Sequence, residues 1–171
     1  MQLSDTLWLE KINLNKNAHT WLLDTLNKEN PYSQSFIWNF KKEIQKRTDN
    51  YLERPDILYS PFALYSYDHP VGYLEISDIY NPGNYVCLIY ALLKKEQKKG
   101  YASRTLLNIS KILLNEYKQE IQKVILTIDP NNKESITLAK RCGFYTLDTP
   151  IQIEQNGICT YEKSLNPPKN M

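Results

Sequence analysis

Leu92-Leu93-Lys94-Lys95-Glu96-Gln97-Lys98-Lys99-Gly100-Tyr101-Ala102-Ser103 is the stretch whose reading decides the fold. It joins an apolar, strand-like run at residues 85–93 to an amphipathic run that continues to about residue 117, and so reads as strand, turn, helix. Gly100, followed by the small Ala102, lets main-chain N–H groups come close to a bound anion at a helix start whose dipole favours negative charge. Lys98 and Lys99 bring two positive charges to the same place. A pyrophosphate cradle is one reading of this pattern. A solvated loop before a helix is the other, and the residues alone leave both open.

The spacing is informative in what it excludes. A P-loop needs Gly, four residues, then Gly-Lys-Ser/Thr, and a dinucleotide fingerprint needs three close glycines. The chain has five glycines, and Gly72, Gly83, Gly143 and Gly157 all lie far from Gly100 in sequence. Gln97-Lys98-Lys99-Gly100-Tyr101-Ala102 instead resembles the Gln/Arg-x-x-Gly-x-Gly/Ala coenzyme A motif of the GNAT acyltransferase superfamily. A second stretch agrees with it. Val124-Ile125-Leu126-Thr127-Ile128 is a β-branched apolar run ended by Asp129-Pro130-Asn131-Asn132, and a helix comes next that closes at Arg141-Cys142-Gly143-Phe144. Asn132, Ser135 and the terminal Gly143-Phe144 resemble the segment of that superfamily that contacts the pantetheine arm and protonates the leaving thiolate.

At 171 residues, 42% hydrophobic and 23% charged, the chain has the size of one ordinary domain with a real core, so residues 1–171 are expected to form a single domain. Its 21 basic and 19 acidic residues leave a net charge of +2, which gives no reason to expect nucleic acid or an anionic membrane as partner. Cys87, Cys142 and Cys159 show no Cys-x-x-Cys spacing and have only two histidines for company, so they read as small apolar residues in a reducing cytosol and no metal is expected. The first residues lack the basic and apolar regions of a signal peptide, and no apolar run is long enough to span a bilayer. A soluble, cytoplasmic protein is the expectation.

Along the chain, residues 6–12 alternate as a strand with Leu7, Leu9 and Ile12 inward, and Asn15 or Asn17 can cap a helix over 18–27 that turns Trp21, Leu22 and Leu26 to one face. A helix is expected over 33–48, with Phe36, Ile37, Phe40 and Ile44 at helical spacing and Trp38 beside them. Residues 58–67 and 71–79 read as an antiparallel hairpin around Asp68-His69-Pro70, and Asn81-Pro82-Gly83-Asn84 as the next turn. His69 and His19 read as exposed loop residues. The helix after Ser103 should bury Leu106, Leu107, Ser110, Leu113, Leu114 and Tyr117. Residues 147–154 and 158–163 flank Gln155-Asn156-Gly157, a hairpin signal, and residues 166–171 read as a frayed tail.

This order of elements is similar to the GNAT fold from about residue 7 to 165, within the branch that holds ribosomal-protein N-terminal and spermidine acetyltransferases. The resemblance implies an α/β (α+β) fold: a mixed central sheet of about seven strands, helices on both faces, and a splay between the two central parallel strands. It implies acetyl-CoA as co-substrate. The main chain of Leu92 and Leu93 would hold the pantetheine arm, Gln97, Lys98, Lys99, Gly100, Tyr101, Ala102 and Ser103 the pyrophosphate, and Asn132 the arm from the other side.

The implied reaction is direct attack of a neutral primary amine on the acetyl carbonyl, with a backbone N–H near Leu92 or Leu93 as oxyanion donor. Many members carry a tyrosine acid four residues before the Gly-Phe, whereas this chain has Ala139 there. Ser135 is the substitute, unless it serves only to cap the helix start. Glu75 is offered as proton acceptor, sharing a strand face with Tyr73 and Ser77, although that face could equally be solvent. The partner would be a protein N-terminus, a polyamine or another small amine, and edge strands of this fold can pair into a homodimer. The alternative is a GNAT scaffold that binds acyl-CoA as a sensor or interaction module without turnover.

Overall fold

The computed structural model describes residues 1–29, 61–77, 84–119, 121–146 and 159–164. Eight strands and three α-helices fall within them: β1 (Gln2–Ser4), β2 (Leu7–Lys11), α1 (Asn17–Glu29), β3 (Pro61–Ser66), β4 (His69–Ser77), β5 (Tyr85–Leu92), α2 (Tyr101–Glu116), β6 (Lys123–Ile128), α3 (Lys133–Arg141), β7 (Tyr145–Thr146) and β8 (Cys159–Ser164). The strands form a mixed sheet in the order β1-β2-β3-β4-β5-β6-β8-β7. This is the α/β architecture expected, with eight strands in place of about seven. The expected helix over 33–48, the Asn81-Pro82-Gly83 part of its turn, the Gln155-Asn156-Gly157 hairpin turn and the tail lie outside the described residues.

The chain clusters into two compact units. The first comprises Met1–Ile76 and Tyr90–Tyr101, and the second Ser77–Ile89 and Ala102–Met171, so β5 contributes residues to both. In the first unit β1 to β4 form an antiparallel meander. The strand expected over 6–12 is shorter, and an additional one precedes it: β1 folds back on β2 with Gln2 opposite Trp8, which buries Leu3. The β3–β4 turn falls at Tyr67-Asp68, with Tyr67 at φ 54, one step earlier than expected, and His69 already pairs with Ser66.

Helix α1 buries His19, Leu22, Leu23 and Leu26, an i, i+3, i+4, i+7 stripe, while Trp21 is 46% exposed. Two expectations are thereby corrected. His19 occupies a core position, and Trp21 sits on the outer face with the Lys95 ammonium 5.5 Å from its ring centroid. Counting the imidazole as an apolar-facing ring completes the stripe that the aliphatic residues alone left ambiguous.

In the second unit β5 runs parallel to β6, β6 pairs antiparallel with β8 along its whole length, and β7 adds to the far side of β8. Helix α2 buries Thr105, Leu106, Ile109, Ser110, Leu113 and Leu114; Leu107 is 45% exposed and Tyr117 half-buried, so the apolar stripe is rotated from the one expected. Among the described residues no helix is long and apolar enough to cross a membrane.

Candidate active site

Strand β5 ends at Leu92, and the chain then makes a short 3-10 turn over Lys94–Glu96. The Glu96 N–H donates to the Leu93 carbonyl at 2.8 Å, and the carboxylate of Glu29, at the end of α1, accepts the Lys94 N–H at 2.7 Å. Glu96 is buried and pairs with the Lys99 ammonium at 3.0 Å. The Gln97 backbone is extended, and its side-chain amide donates to the Leu92 carbonyl at 3.4 Å. These bonds tie the turn to the strand it leaves.

Beyond Gln97 the backbone becomes unusual. Lys98 and Gly100 both lie in the left-handed region, at φ 63 and φ 80. Alternation of this kind turns successive N–H groups toward one side, which makes a concavity for an anion. No atom lies within 4 Å of where a Cβ on Gly100 would sit, so the loop is open there, and α2 begins at the next residue. The first turn of α2 carries no acidic side chain, and a helix start points its N–H groups out along the axis. The charge pattern differs from the simple reading, because Lys99 is engaged by buried Glu96 and holds the turn together.

The parallel ladder between β5 and β6 is registered only from Tyr85–Lys123 to Cys87–Ile125, although the strands continue to Leu92 and Ile128. Leu93 is an exception to the expectation. Its N–H donates to the Val71 carbonyl on β4 at 3.0 Å, so this group is already engaged within the first unit.

In the second unit Asn132 caps α3: its side-chain oxygen accepts the Ser135 N–H at 3.1 Å. Capping is therefore the work of Asn132. Ser135 supplies its N–H to the cap, and its side chain is half-buried. With its oxygen committed, Asn132 would meet a pantetheine arm through its amide N–H. The far end of α3 closes with the Phe144 N–H on the Ala139 carbonyl and the Gly143 N–H on the Lys140 carbonyl, both at 3.0 Å, with Gly143 at φ 81. That bond pair is a Schellman closure, which explains why Gly-Phe stands there. Ala139 itself is fully buried.

Glu75 belongs to the first unit and is 1% exposed, so its face of β4 is not solvent. The Tyr73 hydroxyl donates to its Oε2 at 2.6 Å. Burial pushes the Cys87 thiol up to about 11 and raises Cys142 as well, so neither is a thiolate nucleophile at neutral pH. Among the described residues no cluster of metal-ligating side chains occurs.

The sequence pattern of the acetyltransferase (GNAT) family matches residues 16–144. The chain belongs to the acetyltransferase (GNAT) family. The match runs through both units, and membership makes the chain an acetyl-CoA-dependent N-acetyltransferase by class. Solved structures share the GNAT fold. One is the ribosomal L7/L12 alpha-N-protein acetyltransferase RimL in complex with coenzyme A, with TM-score 0.72, 17% identity, and 95% of this chain and 96% of that one covered. A second is the microcin C7 self-immunity acetyltransferase MccE with acetyl-CoA and AMP, with TM-score 0.70, 18% identity, and 95% and 94% covered. A third is the spermidine N-acetyltransferase of Vibrio cholerae with CoA and spermine, with TM-score 0.72, 15% identity, and 94% and 96% covered. No curated protein matches the chain by sequence.

Proposed function

We propose that this GNAT chain transfers acetyl from acetyl-CoA to a primary amine, a protein N-terminus or a polyamine, by direct attack within a single acetyltransferase domain. The observation that carries the reading is the loop with Lys98 and Gly100 both left-handed, opening onto an α2 start without acidic side chains. Gln97 to Ser103 bind the pyrophosphate, and Leu92 and Asn132 bind and orient the pantetheine; both main-chain groups of Leu93 are engaged by Val71 and Glu96. The amine nitrogen forms a bond to the acetyl carbon as the carbon–sulfur bond breaks. Glu75 takes the amine's proton and Ser135 gives one to the departing thiolate. The acceptor classes come from what similar proteins are named for, ribosomal L7/L12 and spermidine.

A second reading, an acyl-CoA sensor without turnover, is favoured by Ala139, which stands where many members of the family have an acidic tyrosine. Titration calorimetry with acetyl-CoA, followed by thiol release against an L7/L12 N-terminal peptide, spermine and an aminoglycoside, separates the two. Binding with acceptor-dependent release is expected. Binding without release on any amine would favour the sensor, and no binding would overturn both.

A further inference from the structure

In the sequence Lys99 reads as one more positive charge for an anion, but the structure gives its side chain a partner within the loop. Lys99 Nζ donates to Glu96 Oε2 at 3.0 Å, three residues back along the chain. The two ends of the pair differ in their surroundings: the Glu96 side chain is 6% exposed and that of Lys99 52%. Glu96 is the fixed end. It closes the 3-10 turn over Lys94–Glu96 with its N–H on the Leu93 carbonyl at 2.8 Å, and the Glu29 carboxylate holds the Lys94 N–H at 2.7 Å where the turn begins. All of these groups belong to the first unit. The bond from Glu96 to Lys99 spans Gln97 and Lys98, and Gly100, at φ 80, comes directly after it. The clasp therefore covers the part of the chain where the backbone turns left-handed.

We propose that Glu96 is a positioning residue for the cofactor: by clasping the Lys99 side chain it presets the Gln97–Gly100 loop in the shape that receives the pyrophosphate of acetyl-CoA. The inference rests on the reading of that loop as the phosphate site, and it names the side-chain pair that shapes the loop before the ligand arrives. Two roles for the Lys99 ammonium are chemically distinct. An ammonium that contacts phosphate directly has Glu96 as a competitor, so removing the carboxylate would leave binding intact or make it tighter. An ammonium that serves as a clasp needs Glu96. Loss of either partner then releases the same loop, and a released loop must be ordered again when the ligand binds, which weakens affinity.

The test is a double-variant cycle in the full chain, read as the Kd for acetyl-CoA by titration calorimetry and as the melting temperature without ligand. Glu96→Met keeps the buried volume and removes the acceptor, while Lys99→Met keeps the stem and removes the donor. Each should raise Kd by about tenfold, and the double variant should bind no more weakly than either single one. Lys99→Arg, which keeps a charged donor, should bind within about threefold of wild type. Melting of Lys99→Met should fall by less than about 4 °C, because a half-exposed pair contributes little to folding. Gly100→Glu separates the inference from the reading beneath it. If that variant loses binding while Glu96→Met and Lys99→Met bind like wild type, the inference fails and the phosphate loop stands. Normal binding in Gly100→Glu, or none in wild type, would remove both. Weakened binding in Lys99→Met beside unaltered or tighter binding in Glu96→Met would make Lys99 a direct phosphate ligand and overturn the clasp. Should Glu96→Met fail to fold, Glu96→Gln is read in its place: a neutral acceptor holds the ammonium less firmly, so Kd should rise in the same direction.

Discussion

At the scale of single residues, the capping role that the sequence leaves open for Ser135 falls to Asn132. The cap oxygen comes from Asn132, so Asn132→Ala should cost about 1 kcal/mol of stability, readable as a lowered denaturation midpoint. Ser135→Ala keeps the N–H that the cap uses. It should melt like the wild type and yet lose roughly a hundred- to ten-thousandfold in kcat if its hydroxyl protonates the thiolate. A Ser135→Ala enzyme that is both stable and fully active would hand that proton to water. His19 makes a different prediction. Its ring is buried, Nδ1 accepts the Asn13 N–H at 2.9 Å, and Nε2 lies 3.8 Å from the Glu10 carboxylate, which Lys16 also engages. Burial holds the imidazole below its usual 6.5, so the unfolded chain binds the proton more readily than the folded one. Its contribution to stability is complete above pH 6.5 and is lost as pH falls toward the folded-state value. Denaturant unfolding of wild type between about pH 7 and 5 should therefore show a falling stability, and His19→Gln should show a shallower slope.

At the scale of elements, the close approach of β4 and β5 within the first unit depends on Gly72. A Cβ there would sit 2.5 Å from the Ala91 carbonyl oxygen and 2.6 Å from Leu92 Cδ2, and the first of these is backbone that cannot swing aside. Gly72→Ala should then cost about 1–3 kcal/mol, as overpacking does. Because the displaced residue is Leu92, it should also raise the KM for acetyl-CoA; an unchanged KM in a destabilised variant would separate Leu92 from the arm. The elements themselves are legible where local chemistry decides them. The strand, turn and helix around Gly100, the Asp129–Asn132 helix start and the Gly143 closure each depend on residues within one turn of chain. What escapes the sequence depends on partners far off along it. Nothing near Leu3 announces that it pairs back across Trp8, and Leu107 looks as buriable as Leu106 until the packing face is known. The left-handed Lys98 is likewise hidden, since lysine gives no signal for positive φ, and the Tyr73–Glu75 bond is visible only as an alternation whose face could have been solvent.

At the scale of the whole molecule, a net charge of +2 supplies little long-range attraction for a polyanion, so the proposed binding of acetyl-CoA relies on local donors, those assigned above to the Gln97–Ser103 segment. A ligand that binds only the folded state stabilises it by about 2.7 kcal/mol at a hundred times its Kd. For a chain of this length each kcal/mol is worth roughly 2–4 °C, so saturating acetyl-CoA should raise Tm by about 5–11 °C. Gly100→Glu tests where that energy arises. The substitution forces a side chain onto φ 80 and sets a carboxylate against the phosphates, although the space in front of Gly100 is empty and no packing is lost. Without ligand the variant should melt a few degrees below the wild type, because of the left-handed backbone, and respond to acetyl-CoA by less than a fifth of the wild-type shift. A full shift in Gly100→Glu would mean that the nucleotide binds elsewhere, and the loop would revert to a solvated connection between β5 and α2.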